Sequence, residues 1–339
     1  MANEIEKVNT IEIADIEKIS GRTDDNIEKL SGLEFTGFTP PAWGNTRAVI
    51  AGGSGSGTND ITRIQYKTVG AEATAENFGD LQTSRARHQY AGSNGTRGIF
   101  GGGGGLSGES IVRGVPDTDY ITIASTGNGS DFGDVYAAAT YGGRCGGSNG
   151  TLTFSVGGYY GAASVNIDNM EYYTIASTGN GTSAGTLSGA RSSPNCTNGD
   201  TRYIANGGYS SGQLDVMEYN DFSTSANVTD FGDLSSGSNT NSNVCSTVRA
   251  VLHCPVIGKE HMEYVTVAST GDATDFGDMD VNRDSSTATS DGATGEFFGG
   301  YDSGVLTSTE KITIGSTGNG TEVGDLMEGN KHAGATSGI

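Results

Sequence analysis

The chain has 339 residues, a formal net charge of −21, and 56 glycines against 5 prolines. This length can bury a substantial core in one or two domains, and the glycines follow no three-residue period, which excludes a collagen-like fold. The acidic charge argues against binding to nucleic acid phosphates or anionic lipid surfaces. The sequence has no run of about 18 apolar residues, and its first residues lack a secretory signal pattern, so we expect no membrane insertion.

Residues 1–34 carry a short repeat with an 11-residue period. The tripeptide Ile-Glu-Lys begins at Ile5, Ile16 and Ile27, and an apolar residue and a turn-like pair follow each copy. An 11-residue apolar period can support a right-handed supercoil, but glycines in the second and third copies would interrupt a continuous helix. We therefore expect short helical turns, or an extended strip that lies on a partner.

This N-terminal segment contains many apolar residues and no evident core of its own. We predict that residues 1–34 dock onto another protein, and the alternative is a frayed tail or a brace beneath the following domain. Residues 35–45 contain a Pro-Pro pair and would form a stiff linker. The residues that we expect to make the docking contact are Ile5, Ile16, Ile27 and Leu30.

From residue 46 onwards a longer repeat dominates the chain, and a Phe-Gly-Asp motif marks each copy. Two copies are degenerate, but the glycine is present every time, at spacings of 54, 52, 47, 45 and 47 residues. These glycines are Gly79, Gly133, Gly185, Gly232, Gly277 and Gly324. The phenylalanines that precede four of them are Phe78, Phe132, Phe231 and Phe276.

The segments around the motif recur in the same order. An apolar run ending in paired glycines comes first, then an alternating strand, a Ser-Thr-Gly turn and the Phe-Gly-Asp strand, followed by a stretch rich in Ser, Ala and Gly. One unit holds about four short strands in roughly 50 residues, the size of a propeller blade. Six units predict an all-β, six-bladed β-propeller over residues 46–339, with a short N-terminal extension.

Positions within the repeat predict structural roles. The paired glycines would let the innermost strand turn near the crowded ring axis, and the phenylalanines would pack between blades. Three of the four cysteines, Cys145, Cys196 and Cys245, recur in phase just before successive units, and we interpret all four as free buried thiols. The sequence does not decide whether a strand from one terminus completes the blade at the other terminus when the ring closes, because the repeats begin and end nearly in phase.

The order of apolar strand, paired glycines and aromatic strand resembles the kelch propeller family. The chain departs from the kelch pattern because it has Phe-Gly-Asp where kelch blades usually have Trp, and its single Trp, Trp43, lies outside the repeats. The combination of Phe-Gly-Asp with Ala-Ser-Thr-Gly also resembles repeats of structural proteins of marine tailed bacteriophages. This second resemblance covers residues 46–339, and similar Ile-Glu-Lys-rich starts occur on virion proteins of such phages.

The aspartates of the motif are candidates for a calcium site that turn carbonyls would complete. These residues are Asp80, Asp134, Asp233, Asp278 and Asp325. The alternative is that each accepts hydrogen bonds within its own blade, from the backbone or from the arginines that recur at the start of a unit. Those arginines are Arg47, Arg97, Arg202 and Arg249.

The sequence offers little support for catalysis. The histidines occupy non-equivalent positions in the repeat, and no Ser-His-Asp, His-Glu-x-x-His or P-loop pattern is present. The glycine run at Gly101–Gly105 lacks a following Lys-Ser/Thr, so we interpret it as a blade turn. We predict a protein that is not an enzyme and has no cofactor.

The resemblance to phage proteins implies a virion structural protein that is assembled in the host cytoplasm, as a tail, neck, fibre or capsid-decoration module. Its partners would be other virion proteins, bound through residues 1–34 in a homo- or hetero-oligomeric assembly. The alternative is a propeller that binds a host-surface glycan or receptor through the loops of one face. The residues that we would expect there are Gly104–Thr118, Tyr159, Tyr160 and Tyr209.

Overall fold

The structure is a computed structural model, and the chain divides into two units, Met1–Trp43 and Gly44–Ile339. In the first unit it describes six two-residue strands between Lys7 and Glu34. In the second it describes residues 45–338, apart from 56–60, 86–88, 108–109, 136–142, 161–163, 199–200, 240–241 and 256–257. Within these described residues, no helix of the length and apolar character needed to span a membrane occurs.

The described residues of the first unit form three antiparallel pairs of strands. The pairs are Lys7–Val8 with Ile11–Glu12, Lys18–Ile19 with Arg22–Thr23, and Lys29–Leu30 with Leu33–Glu34. The expectation of helical turns is wrong at these residues, because the β-branched residues of the repeat favour strand pairing. Of the residues predicted to dock, Leu30 ends the fifth strand, whereas Ile5, Ile16 and Ile27 lie outside the described residues.

The second unit is a six-bladed β-propeller, as the repeat predicts: six four-stranded antiparallel sheets follow one another along the chain. We number the blades from 1 to 6 and the strands of a blade from the axis outwards. Blade 1 contains Gly334–Gly338, Asn45–Ala51, Arg63–Thr68 and Glu76–Asp80. Blade 2 contains Tyr90–Ser93, Arg97–Gly101, Asp117–Thr122 and Ser130–Asp134. Blade 3 contains Cys145–Ser148, Leu152–Val156, Asn169–Thr174 and Thr182–Thr186.

The remaining blades have the same order. Blade 4 contains Asn195–Asn198, Tyr203–Asn206, Leu214–Asn220 and Thr229–Ser238. Blade 5 contains Ser242–Cys245, Arg249–His253, His261–Thr266 and Thr274–Asp278. Blade 6 contains Thr287–Ser290, Thr294–Phe298, Ser308–Thr313 and Thr321–Asp325.

The innermost strand of each blade is the small-residue stretch that leads into the next unit. These strands contact one another around the axis, and the apolar strand that precedes the paired glycines is the second strand. The expectation that the paired glycines shape the innermost strand is therefore wrong. They lie in the connection between the second and third strands, where Gly52 and Gly53 have φ of 64° and 98°.

Strand exchange between the ends of the propeller closes the ring. Gly334–Gly338 is the innermost strand of blade 1 and pairs with Asn45–Ala51, with Gly334 opposite Ala51. The sequence left this point open because the two ends of the repeat are nearly in phase. Closure leaves every blade with two neighbours.

Apolar side chains are buried mainly between blades. Six core clusters lie at the six seams; at the seam between blades 1 and 2, for example, Val49 and Phe78 pack with Phe100 and Ile121. The four motif phenylalanines are at most 3% exposed, as the prediction of inter-blade packing requires. Each also meets the tyrosine of its own third strand edge-on, at 5.9–6.2 Å between ring centroids.

A backbone clasp joins the outermost strand of each blade to the Ser-Thr-Gly turn, or its equivalent, of the following blade. Gly179 N donates to Phe132 O at 2.7 Å, and Gly181 N donates to Asp134 O at 2.8 Å. Asp134 N in turn donates to the Asn180 side chain at 3.0 Å. The other seams have corresponding contacts, so the turn occupies backbone groups of an edge strand that would otherwise stay unpaired.

This clasp explains why the motif glycine is present in every unit. A Cβ built on Gly133 would lie 2.6 Å from Gly179 O, and the same overlap with the next turn occurs at all six glycines. Gly133 also has a φ of 140°, a conformation that L side chains rarely adopt. The phenylalanine and aspartate can vary between blades, whereas any side chain at the glycine would separate two backbones.

A second set of contacts crosses each seam near the other end of the blade. The third strand carries an acidic residue, or Gln65 in blade 1. Among the described residues, this side chain accepts backbone N–H groups from the end of the preceding blade in blades 1, 2, 4, 5 and 6; Ser188 N, for example, donates to Glu218 at 3.1 Å. In four blades a buried arginine also pairs with this acid. The pairs are Arg85–Asp119, Arg144–Glu171, Arg191–Glu218 and Arg283–Glu310.

The interpretation of all four cysteines as free thiols is wrong for two of them. Cys145 and Cys196 form a disulfide between the innermost strands of blades 3 and 4, with their Cα atoms 5.3 Å apart. Nor are the three cysteines in phase, because Cys145, Cys196 and Cys245 hold the first, second and fourth positions of their strands. Cys254 is a buried thiol.

The clasp makes Gly133→Ala a sensitive substitution. We expect a loss of about 2–4 kcal/mol in the free energy of unfolding, because the methyl group meets backbone across the seam at an unfavourable φ. Gly179→Ala is the matched control, since it lies in the same clasp with open space around its Cβ position. Denaturant unfolding of both variants measures the difference, and equal stabilities would contradict the account of the clasp.

The buried acids predict a contrast between blades 3 and 5. Glu171→Gln would leave Arg144 buried without its full countercharge, and we expect a loss of about 3–5 kcal/mol in unfolding free energy. Glu263→Gln in blade 5 should cost under about 1 kcal/mol, because Ser238 stands where other blades have the arginine and Gln65 already fills this position in blade 1. Thermal unfolding of both variants measures their losses of stability. Equal losses in the two variants would refute the prediction.

Candidate binding face

Strand direction gathers two kinds of connection at one end of the propeller. The connections between second and third strands lie there, together with those that lead from a fourth strand to the next blade. We call this end the upper face. The Ser-Thr-Gly turns lie at the opposite end, where the backbone clasps use their N–H groups.

The predicted recognition loops all lie on the upper face. Residues Gly104–Ser107 and Ser110–Gly114 form a hairpin on blade 2, and Tyr159–Tyr160 pairs with Val165–Asn166 on blade 3. The interpretation of Gly101–Gly105 as a turn holds only for Gly102 and Gly103, because the last two glycines begin the hairpin. The structure brings the blade 3 and blade 4 loops together, since Asn166 Nδ2 donates to Tyr209 O at 2.9 Å.

We define the tyrosine patch as Tyr159, Tyr160, Val165 and Tyr209. Val165 is 47% exposed and Tyr209 is 45% exposed, and both are among the four exposed large apolar side chains of the described residues. The backbone under Tyr209 is fixed: it exchanges two hydrogen bonds with Ser192, at 2.8 and 3.0 Å. The patch therefore presents an exposed aromatic ring on a rigid support.

Hydroxyl and amide groups border the patch. Ser192 Oγ lies 3.4 Å from Tyr209 O, and Gln213, which bridges to Tyr209 through its backbone, donates from Nε2 to Asn239 Oδ1 at 3.2 Å. Ser210, the next residue in the chain, is also exposed. Such a surface can stack on an apolar face and exchange hydrogen bonds with hydroxyls.

Tyr301 occupies the corresponding place on blade 6, which the sequence analysis did not single out. It follows a glycine pair and exchanges the same two backbone hydrogen bonds, here with Asp284. Lys331 Nζ lies 4.5 Å from its ring centroid, and Lys259 Nζ pairs with Asp284 and Asp302 beside it. Its position directly after a glycine pair is the sequence signal that could have identified Tyr301. The two lysines come from other connections on the upper face, so the sequence around Tyr301 does not indicate them.

The structure keeps the five motif aspartates apart, one on the outermost strand of each of five blades. Two of them accept a hydrogen bond from a threonine of their own blade: Thr62 donates to Asp80 at 2.9 Å, and Thr307 donates to Asp325 at 2.8 Å. Among the described residues, no group of three or more His, Cys, Asp or Glu side chains is arranged to hold a metal ion. The motif aspartates therefore do not gather around one ion, and calcium binding by a single aspartate with turn carbonyls stays a prediction.

The recurring arginines do not pair with the motif aspartates, so the arginine part of that alternative is wrong. Arg47, Arg97, Arg202 and Arg249 each lie over the tyrosine of their own third strand, 4.2–4.5 Å from the ring centroid. Arg97 Nη1 also donates to Ile175 O of the following blade at 2.9 Å. These arginines help to hold neighbouring blades together, and the aspartates stay on the outer rim.

Blade 5 is where cysteine, histidine, serine and carboxylate groups meet. The buried Glu263 accepts hydrogen bonds from Ser235, and His261 Nε2 lies 3.2 Å from its carboxylate. Cys254 Sγ is 3.9 Å away, and burial raises the pKa of this thiol well above its ordinary value. The carboxylate stands between the serine and the histidine, so the histidine cannot act as a base towards that hydroxyl. The cluster replaces the missing arginine of this blade.

The ring axis offers little space for an organic ligand. A cavity of about 80 Å³ opens at its upper end, lined by the disulfide and by polar side chains that include Gln89, Asn195 and Asn243. A cavity of this volume holds a small cluster of water molecules. Recognition of a larger ligand would fall to the loops of the upper face.

No protein-family model matches the chain, and a search of curated proteins finds no match. The fold and the geometry of its faces define the class of protein, a six-bladed β-propeller.

His253, at the end of the second strand of blade 5, predicts a loss of stability in acid. Burial lowers its pKa to about 4, while a hydrogen bond to Lys259 O opposes that shift. The unfolded chain therefore binds the proton first, and stability should fall as pH drops from about 6.5 towards 4, by roughly 3 kcal/mol in total.

His253→Asn tests this assignment, because Asn206 fills the corresponding position in blade 4. The variant should lose less stability than the unmodified protein over the same pH range, as measured by denaturant midpoints between pH 7 and 4. Identical pH dependence of the two proteins would show that another group is responsible.

Proposed function

We propose that the protein is a non-enzymatic virion structural protein of a tailed bacteriophage, a tail, neck, fibre or capsid-decoration module. The resemblance of its Phe-Gly-Asp and Ala-Ser-Thr-Gly repeats to phage structural proteins supports this proposal, as does the kelch-like order of strands. Residues 1–34 are the docking segment, and the propeller is the module that they carry.

The observation that carries the proposal is the character of the N-terminal unit. Its described strands are two residues long, and they recur three times with the period of the sequence repeat. An isolated two-stranded hairpin is marginally stable in water, and pairs this short bury little surface. Strand edges and apolar positions repeated in this way are suited to pairing with another chain.

Two features of the propeller agree with a structural role. Its seams combine buried cores, backbone clasps and buried ion pairs, which hold neighbouring blades together. The one cluster of candidate catalytic groups described above is built around a buried carboxylate, and it stabilises the seam before blade 5. The acidic surface favours solubility at high copy number, because the net charge of −21 makes copies repel one another.

Host recognition is the second candidate function, and the tyrosine patch favours it. An exposed aromatic ring on a fixed backbone is the kind of surface that binds a ligand with little loss of conformational entropy. The two functions are compatible, since a virion appendage can also contact the host.

Deletion of residues 1–34 tests the docking role. The truncated protein should remain folded and soluble, with a melting temperature close to that of the full chain, but it should not incorporate into particles. Incorporation is measured by quantifying the protein in purified virions after complementation of a deletion phage.

Full-length protein with Tyr301→Ala is the control for this experiment. It alters the propeller surface and should incorporate normally, which separates loss of docking from general damage. Normal incorporation of the truncated protein would overturn the proposed role of residues 1–34.

A further inference from the structure

We propose that the tyrosine patch binds an uncharged polysaccharide, with one sugar ring stacked on Tyr209. This inference rests on the second candidate function, host recognition by a virion appendage, and adds to it the site and the chemical class of the ligand. The site lies on blades 3 and 4, at the contact between the two upper loops.

The first support is preorganisation. Tyr209 has both backbone polar atoms bonded to Ser192, and the Asn166 side chain adds a third bond to its carbonyl. The next residues close a tight turn in which Ser210 N donates to Gly212 O at 3.0 Å. Tyr209 is nevertheless 45% exposed as a residue, so the backbone needs no rearrangement for a ligand to reach it.

The second support is the chemistry of the patch. A pyranose presents an apolar C–H face surrounded by hydroxyls, and the patch offers tyrosine rings next to serine hydroxyls and carboxamides. Tyrosine with serine and asparagine is also the composition that adaptable recognition surfaces use. Stacking combined with neutral hydrogen bonds selects for hydroxyl-rich ligands over hydrocarbon surfaces.

Charge decides between kinds of glycan. The chain carries a net charge of −21, so acidic polysaccharides are repelled at long range. Among the described residues, the two lysines that approach a tyrosine ring on the upper face, Lys259 and Lys331, lie at Tyr301 and not at Tyr209. The bond partners of Tyr209 are neutral, namely Ser192 and Asn166. An uncharged sugar is therefore the ligand that fits.

Blade 6 supplies a matched control. Tyr301 has the same backbone bonds as Tyr209 and the same position in the repeat, but a lysine ammonium already covers its ring. Substitution of either tyrosine removes the same side chain from equivalent loops, although Tyr301 is less exposed than Tyr209. Only the substitution in the tyrosine patch should affect binding.

The test uses full-length purified protein on an array of bacterial surface polysaccharides that includes both uncharged and uronic-acid-containing or sialylated members. We expect binding to one or more uncharged polysaccharides. Tyr209→Ala should weaken that binding at least tenfold, whereas Tyr209→Phe should retain most of it because the ring persists. Tyr301→Ala should bind as the unmodified protein does, and melting curves of all variants should coincide.

Several results would overturn the inference. These are binding to acidic polysaccharides alone, absence of binding to the whole array, or equal losses with Tyr209→Ala and Tyr301→Ala. The protein could also be tested for adsorption to host cells treated with protease or with glycosidase. If protease abolishes the adsorption and glycosidase leaves it unchanged, the receptor is a protein and the inference is wrong. None of these results affects incorporation into particles, so failure here is distinguishable from failure of the docking role.

Discussion

The propeller depends on the close approach of two backbones at every seam. The turn at the lower end of one blade lies directly against the outermost strand of the blade before it, with hydrogen bonds such as Gly179 N to Phe132 O. This approach excludes a Cβ atom from one position per unit. A single steric constraint thus fixes a glycine, sets the spacing between blades and protects an otherwise open strand edge. Side chains at the seam then fill the space that the backbone contact defines.

The seams differ in their electrostatics while keeping the same geometry. Four third-strand acids are paired with a buried arginine, one position carries the neutral Gln65, and Glu263 is bonded to serine and histidine. A buried ion pair contributes little net stability compared with a neutral substitute, because desolvation offsets most of its attraction. Both arrangements can therefore stabilise a seam. In five of the six seams, among the described residues, an acceptor oxygen of the third strand receives backbone N–H groups from the preceding blade.

The sequence predicted the fold well because the evidence for it is local and repeated. Glycine spacing, strand alternation and turn residues lie within each unit, and together they indicate six blades. The disulfide was missed because Cys145 and Cys196 meet only when two units stand side by side, although their separation of 51 residues is about one repeat. The partner of the arginines was missed for a related reason: a tyrosine ring on the adjacent strand attracts the guanidinium through a cation–π contact, which depends on strand register. Tyr159, Tyr160 and Tyr209 could be predicted from their position after the glycines, but the contact between their loops could not.

The strand that closes the ring changes how the whole domain unfolds. A linear array of repeats has end units with a single neighbour, and such units fray first. Here Gly334–Gly338 completes blade 1, so every blade has two neighbours and the propeller has no end unit. Opening any one seam leaves the adjoining blades still held on their other sides. Loss of structure should therefore be cooperative around the circle, and the last few residues of the propeller decide whether the circle exists.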